Sequence, residues 1–168
     1  FPYVALCFSG ELAPSVLQAD VDKQVSIEFF SLSKSYNMGG FRVAYAIGNA
    51  QIIKALRQVK ATVDFNQYQG ILRGAITALT GPQDCVAHMV NTFATRRDAA
   101  LSALQAIGWL VPKPEATMYI WAKLPADLPH GWATRSIDFC TALVASTWGA
   151  LAPGRGFGVS GEVYVRFA

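Results

Sequence analysis

Two histidines and three cysteines are all that this sequence offers a soft metal ion, and Cys7, Cys85 and Cys140 stand far apart among apolar neighbours. That spacing argues against a disulfide framework or a structural zinc and suits reduced, buried thiols; no metal is expected. Long apolar runs are missing too. Nothing reaches the ~20 residues of a membrane span, and no basic stretch leads into an apolar segment at the start, so neither a membrane association nor a secretory leader is expected. Blocks of like charge are absent: 14 Lys and Arg against 11 Asp and Glu leave a net +3 spread along the chain, which speaks against a nucleic-acid partner. What is present is apolar. With 168 residues, 52% hydrophobic and 15% charged, the chain has the material for a packed core and is expected to be soluble rather than disordered.

Both ends read as strands. FPYVALCF begins at the first residue and VYVRFA closes the chain, with no polar tail at either side, which gives the chain the look of a portion of something longer. SGELAPSVLQADVDKQ then reads as a surface excursion with a short helical turn near Ser15 to Leu17. SIEFFSLSKSY reads as a strand running into a polar loop, and FRVAYAI, Phe41 to Ile47, as a strand buried on both faces. Asn49 is a good N-cap, after which Ile52, Ile53, Leu56 and Val59 recur on one helical face. A second helix is predicted from Gln67 to Leu79, stopped by Gly81-Pro82, and a third from Gln83 to Ile107, long enough to link two lobes. Beyond Gly108 come a strand in TMYIWAKL, a loop at PADLPHG, a helix from Trp132 to Thr147, a glycine-rich loop and the closing strand. The division that follows is an α/β first part and a smaller α+β second part.

The segment richest in chemistry is SLSKSYNMGGFR, Ser31 to Arg42, set between two apolar strands. Hydroxyls at Ser31, Ser33 and Ser35 and an arginine fork are what a bound phosphate takes, since they give directed hydrogen bonds and a charge that does not titrate near neutrality. Gly39 and Gly40 permit close backbone approach. A lysine held among such groups, partly desolvated, has its pKa drawn toward the range where the free amine attacks an aldehyde. Lys34 is thus either a Schiff-base lysine or an ordinary solvated lysine on a polar loop. Neither GxxxxGK[ST] nor GxGxxG occurs, so nucleotide loops are not indicated.

SLSKSYNMGGFRVAYAIGN resembles the signature of the class I and II aminotransferases, fold-type I enzymes dependent on pyridoxal 5'-phosphate, and the similarity runs over the whole chain. The resemblance implies that Lys34 carries the cofactor and that Ser31 and Arg42 hold its phosphate. FPYVAL resembles the strand whose tyrosine meets the phenolic oxygen, here Tyr3. APGRGFGVSGEVYVRFA resembles the terminal region whose arginine grips the substrate α-carboxylate, here Arg166, and PEATMYIW resembles the first strand of the small domain. The expected architecture is therefore part of the large cofactor domain over residues 1–107, a mixed and mostly parallel sheet with helices that includes the long interdomain helix, followed by an incomplete small α+β domain over 108–168. The implied activity is transfer of an amino group between an amino acid and a 2-oxo acid, in a cytoplasmic parent enzyme that is a homodimer.

The resemblance also identifies what is not in the sequence. The family's aspartate on the pyridine nitrogen would fall just before Phe1, and the glycine-bearing turn, an asparagine and a closing helix have no counterpart, so the chain itself is expected to be inactive. Two rivals remain: another fold-type I enzyme (a lyase, decarboxylase or synthase), or a noncatalytic folding or dimerisation module. Without the resemblance, Arg166 would read as a solvent-facing strand residue and Tyr3 as a packed aromatic. Trp109, Trp121, Trp132 and Trp148 read as packing residues, with Trp121 also a candidate to line the substrate end of the small domain; Arg155 reads as a loop surface position or a partner for a carboxylate near the site, His88 as a satisfied or exposed helix residue, and Tyr68 is given no role.

Overall fold

A computed structural model of the chain describes residues 1–128, 132 and 134–168. Pro129, His130, Gly131 and Ala133 lie outside the described residues, so the expected PADLPHG loop and the start of the helix after it are covered only in part. The chain divides into two units, Phe1–Phe93 and Ala94–Ala168, and the division falls inside one helix.

The first unit opens in turns where a strand was expected. Pro2 has no N–H to lend a ladder, and Leu6 N donates instead to Tyr3 O at 2.9 Å. The excursion that follows is tied down by polar side chains. Ser15 caps α1 (Val16–Ala19) and donates its hydroxyl to Glu28 Oε2 at 2.5 Å. Asp20 accepts from the N–H groups of Gln24, Val25 and Ser26 at 2.8 to 3.0 Å. Asn49 donates its amide to the carbonyls of Lys23 and Gln24 while its Oδ1 caps the first turn of the helix that follows it.

Strands β1 (Ile27–Ser31) and β2 (Ala44–Gly48) pair antiparallel, in register from Ile27↔Gly48 to Ser31↔Ala44. Between them lie α2 (Leu32–Ser35) and a 3-10 turn, Gly39–Phe41. Then come α3 (Ala50–Val63), α4 (Gln69–Thr80) and α5 (Asp84–Ala106), close to the helices predicted from caps and periodicity.

The mostly parallel sheet expected for this part is not found: the described strands form two small antiparallel sheets, β1-β2 here and three strands in the second unit. The reason is the connection. A parallel neighbour requires a crossover long enough to carry the chain back along the sheet, whereas residues 32–43 turn the chain round in place. The same two-strand sheet explains why FRVAYAI is not buried as its composition suggested: Tyr45 and Ile47 are exposed, as is Phe29 of the neighbouring strand, which pairs with Ala46. Ile52 and Val59, expected on the inner face of α3, are exposed as well. The core is built instead from Leu32, Val43 and Ala75, with Tyr36, Met38, Ile71 and Ala78 packed on it.

The second unit holds residues 94–106 of α5, then β3 (Ile120–Lys123), α6 (Ser136–Thr147), β4 (Ala152–Pro153) and β5 (Tyr164–Phe167), in sheet order β3-β5-β4. Ala122, Leu124, Phe139, Cys140 and Val165 make its core, flanked by Trp109 and Trp132. Trp109 donates its indole N–H to Lys123 O at 2.7 Å, so this tryptophan is anchored at both its apolar and polar ends. Trp148 departs from the packing role expected of it, being 96% exposed at the left-handed C-cap of α6. Of the cysteines only Cys140 is buried, while Cys85 is exposed. Gly154 and Gly161 pass so close that a Cβ on either would strike the other's carbonyl oxygen.

Leu32 is 1% exposed and joins the first unit's core to the loop between the strands. Its replacement, Leu32→Ala, is expected to cost about 2–5 kcal/mol, read as a lower urea midpoint at unchanged slope.

Candidate functional site

The loop from Ser31 to Val43 is closed at its base. Ser31 pairs with Ala44 at the end of the β ladder, and Leu32 N donates to Val43 O at 3.4 Å. Leu32 O in turn accepts from Tyr36 N at 3.2 Å and Met38 N at 3.3 Å, so one buried residue organises the loop through both its backbone groups. Ser31 is the N-cap of α2, with its Oγ accepting from Ser33 N at 3.2 Å. Its hydroxyl proton is left for another acceptor.

Lys34 sits in the single turn of α2, three residues after Ser31 and on the same face of that turn. It is half-buried, and no ion pair among the described residues involves it. Ser35 beside it is buried, with its hydroxyl lacking a hydrogen-bond partner. Beyond the 3-10 turn Arg42 takes left-handed backbone angles, φ 52° and ψ 47°, and one guanidinium nitrogen donates to Gly39 O at 2.9 Å. That bond holds the fork against its own loop while the other N–H groups stay available. At Gly40 nothing lies within 4 Å of where a Cβ would be, and at Gly39 only Ser33 O at 3.8 Å, so space lies open beside this backbone.

Hydroxyl, amine, guanidinium and open backbone are thus gathered on one short, closed turn. This donor set fits a phosphate ester that also bears an aldehyde: the arginine and serine suit the anion, and a lysine without a carboxylate partner suits the carbonyl.

The other two predicted residues stand on other segments of the chain. Tyr3 lies half-buried in the opening turn, and the Phe1 ring before it meets Phe30 edge-on at 5.8 Å, with Phe30 stacked on Tyr45 at 5.1 Å. Arg166 belongs to the second unit. It is on the central strand β5, opposite Trp121 of β3 and Ala152 of β4. Its guanidinium carbon lies 4.1 Å from the ring centre of Tyr119 and 4.5 Å from that of Phe157, and its Nε is buried without a partner.

Sequence reasoning did not single out Tyr119 or Phe157. Tyr119 stands two residues before Trp121, the spacing of side chains that share a strand face, which is the signal that would have found it. Also unforeseen is the carboxylate of Asp98, shared by Arg97 Nε at 2.8 Å and Lys113 Nζ at 3.0 Å, while Arg97 donates to Pro114 O at 3.0 Å. Arg155, read as a surface position, is exposed, with its Nε 3.6 Å from Glu162.

Comparison with known proteins defines the class of chain in which this Ser-x-x-Lys turn and its arginine stand. The chain belongs to the family described as Aminotransferase class I and II, which it matches over residues 2–168. The family's cofactor is pyridoxal 5'-phosphate. Among curated relatives, the chain is 38% identical over 166 residues to the glutamate-pyruvate aminotransferase AlaC of Escherichia coli K12, covering 99% of this chain and 40% of that enzyme. It is 43% identical over 167 residues to an LL-diaminopimelate aminotransferase of Dehalococcoides mccartyi, covering 99% of this chain and 42% of that one. Substrate-bound BacF from Bacillus subtilis superposes with a TM-score of 0.91 at 31% identity, over 100% of this chain and 42% of that structure. An aminotransferase from Staphylococcus aureus gives 0.89 at 34%, over 100% and 43%. The chain therefore spans about two fifths of the length of these relatives.

The Asp98 cluster yields a test. Hydrogen bonds from Arg97 first and Lys113 second bring its carboxyl from 3.8 down to about 2. Because the folded value lies below the ordinary one, the cluster favours the fold above about pH 4, and that contribution fades as the pH falls toward 2. Carbon-detected NMR of the Asp98 carboxyl is expected to give a midpoint near 2 in the parent chain and a higher one in Lys113→Ala.

Proposed function

We propose that this chain is the lysine-bearing portion of an aminotransferase that moves an amino group between an amino acid and a 2-oxo acid. What supports the reading is a loop, closed at Leu32 and Val43, that carries Ser31, Lys34 and Arg42, in a chain matched to the aminotransferase family over residues 2–168. Residues 1–107 then belong to the cofactor-binding large domain and 108–168 to the small domain.

When bound, pyridoxal 5'-phosphate supplies an electron-withdrawing ring that makes the Cα proton of an attached amino acid acidic. The chain's own residues bind, orient and move that proton. Arg42 and Ser31 hold the phosphate, Arg42 by its charged fork and Ser31 by its free hydroxyl proton. Lys34 Nζ would hold the cofactor's aldehyde end and, as a free amine, would serve as the general base for the proton at the substrate's Cα. Tyr3 would donate its phenol O–H to the cofactor's phenolic oxygen. Arg166 grips the substrate α-carboxylate through two parallel N–H bonds, a geometry that Lys at the same position does not reproduce.

The parent enzyme is read as a homodimer, by analogy with the family, and as cytoplasmic. The isolated chain is expected to show little or no transaminase activity, since it spans about two fifths of the length of the aminotransferases it matches.

Treatment of the chain with stoichiometric pyridoxal 5'-phosphate and borohydride, followed by peptide mass mapping, tests the assignment. A reduced adduct on the peptide bearing Lys34, lost in Lys34→Ala, is the expected result. Labelling of Lys23, Lys54, Lys60, Lys113 or Lys123 in preference to Lys34 would defeat it.

A further inference from the structure

The second unit carries a groove of about 390 Å³ whose lining includes Lys113, Pro114, Tyr119, Trp121 and Arg166. Two of these residues are matched by the sheet itself. Trp121 and Arg166 are directly opposite each other across the β3-β5 ladder, so their side chains rise from one face as neighbours. Trp121 is 40% exposed, and the rest of it is held on two sides. Its ring stacks on Tyr164 at 5.5 Å with planes 11° apart, and Phe157 meets it edge-on at 5.5 Å. An indole fixed in this way presents a flat, preformed apolar wall.

Charge in the groove is just as restricted. Lys113 is committed to Asp98 at 3.0 Å, and that carboxylate is shared with Arg97. Arg166 has no ion pair among the described residues; its Nε is buried and unpartnered, and its guanidinium leans on Tyr119 and Phe157. A buried N–H in want of an acceptor favours any ligand that brings one. Among the described residues the groove thus offers one cation without an ion pair, Arg166, beside aromatic rings.

We propose that Trp121, aided by Tyr119, is the specificity wall of the Arg166 site and ranks carboxylates by their carbon skeleton. This rests on the reading of Arg166 as the carboxylate ligand. The favoured class is a monocarboxylate with an apolar, best an aromatic, side chain: its carboxylate meets Arg166 and its body lies along the indole. A second carboxylate on the same skeleton gains nothing from the rings, and at Lys113 it shares an exposed ammonium with Asp98.

Titration of the full chain, labelled with nitrogen-15, with 3-phenylpropanoate, propanoate and glutarate tests the proposal. The signals to follow are the side-chain N–H resonances of Arg166 and Trp121. All three ligands are expected to move Arg166, but 3-phenylpropanoate should bind about tenfold more tightly than the other two and should alone shift Trp121 strongly. In Trp121→Leu that advantage should vanish while propanoate binding is unchanged, and Trp121→Phe, which keeps a ring against Tyr164, should retain part of it. Equal affinities with Arg166 responding would overturn the wall and leave the carboxylate reading standing, as would an advantage that survives Trp121→Leu. An Arg166 signal unmoved by every ligand in a folded chain would sink both.

Discussion

The backbone of Leu32 is where the first unit's architecture and its chemistry meet. Its N–H reaches Val43 O, its carbonyl takes two further N–H groups, and its side chain is buried against Val43 and Ala75. The hydrogen bonds hold the loop shut at the mouth of the hairpin, and the burial fixes the loop on α4. With both in place, a one-turn helix far too short to be stable alone keeps its geometry. Ser31 and Lys34 inherit their positions from that turn, and Arg42 its place from the return of the chain at Val43. The polar residues that give this loop its chemical character are thus held by an apolar one that has none.

In the second unit the same division of labour is made by a sheet. Arg166 lies on the central strand, hydrogen-bonded on both sides, so its Cα has little freedom. Aromatic faces from Tyr119 and Phe157 then limit the guanidinium, which costs less than a carboxylate partner would because the charge stays open to a ligand. A salt bridge to a residue of the chain would have neutralised the group; ring faces orient it without doing so.

Much of this was legible in the sequence where the signal is local. Asn49, the Gly81-Pro82 pair and Gly108 bound helices found within a few residues of their predicted ends. Ser31, Lys34 and Arg42 stand in one loop because they are close in sequence and flanked by strands. Long-range pairing was not legible. A buried-looking composition in Phe41 to Ile47 does not reveal how many strands will lie alongside, and the antiparallel return depends on how residues 32–43 turn rather than on either strand. Likewise the hold on Arg166 draws on Tyr119 and Phe157 from separate segments, and Asp98 meets Lys113 only after the helix end has folded back.

The contact of Gly154 with Gly161 bears on how mutational scans of this chain should be interpreted. Each carbonyl occupies the space that a methyl group on the other residue would need, in the stretch that leads directly into Arg166's strand. Intolerance to alanine at either position would look, in a screen for lost activity, like a catalytic requirement. It would in fact register a steric veto, two main chains crossing with no room between them.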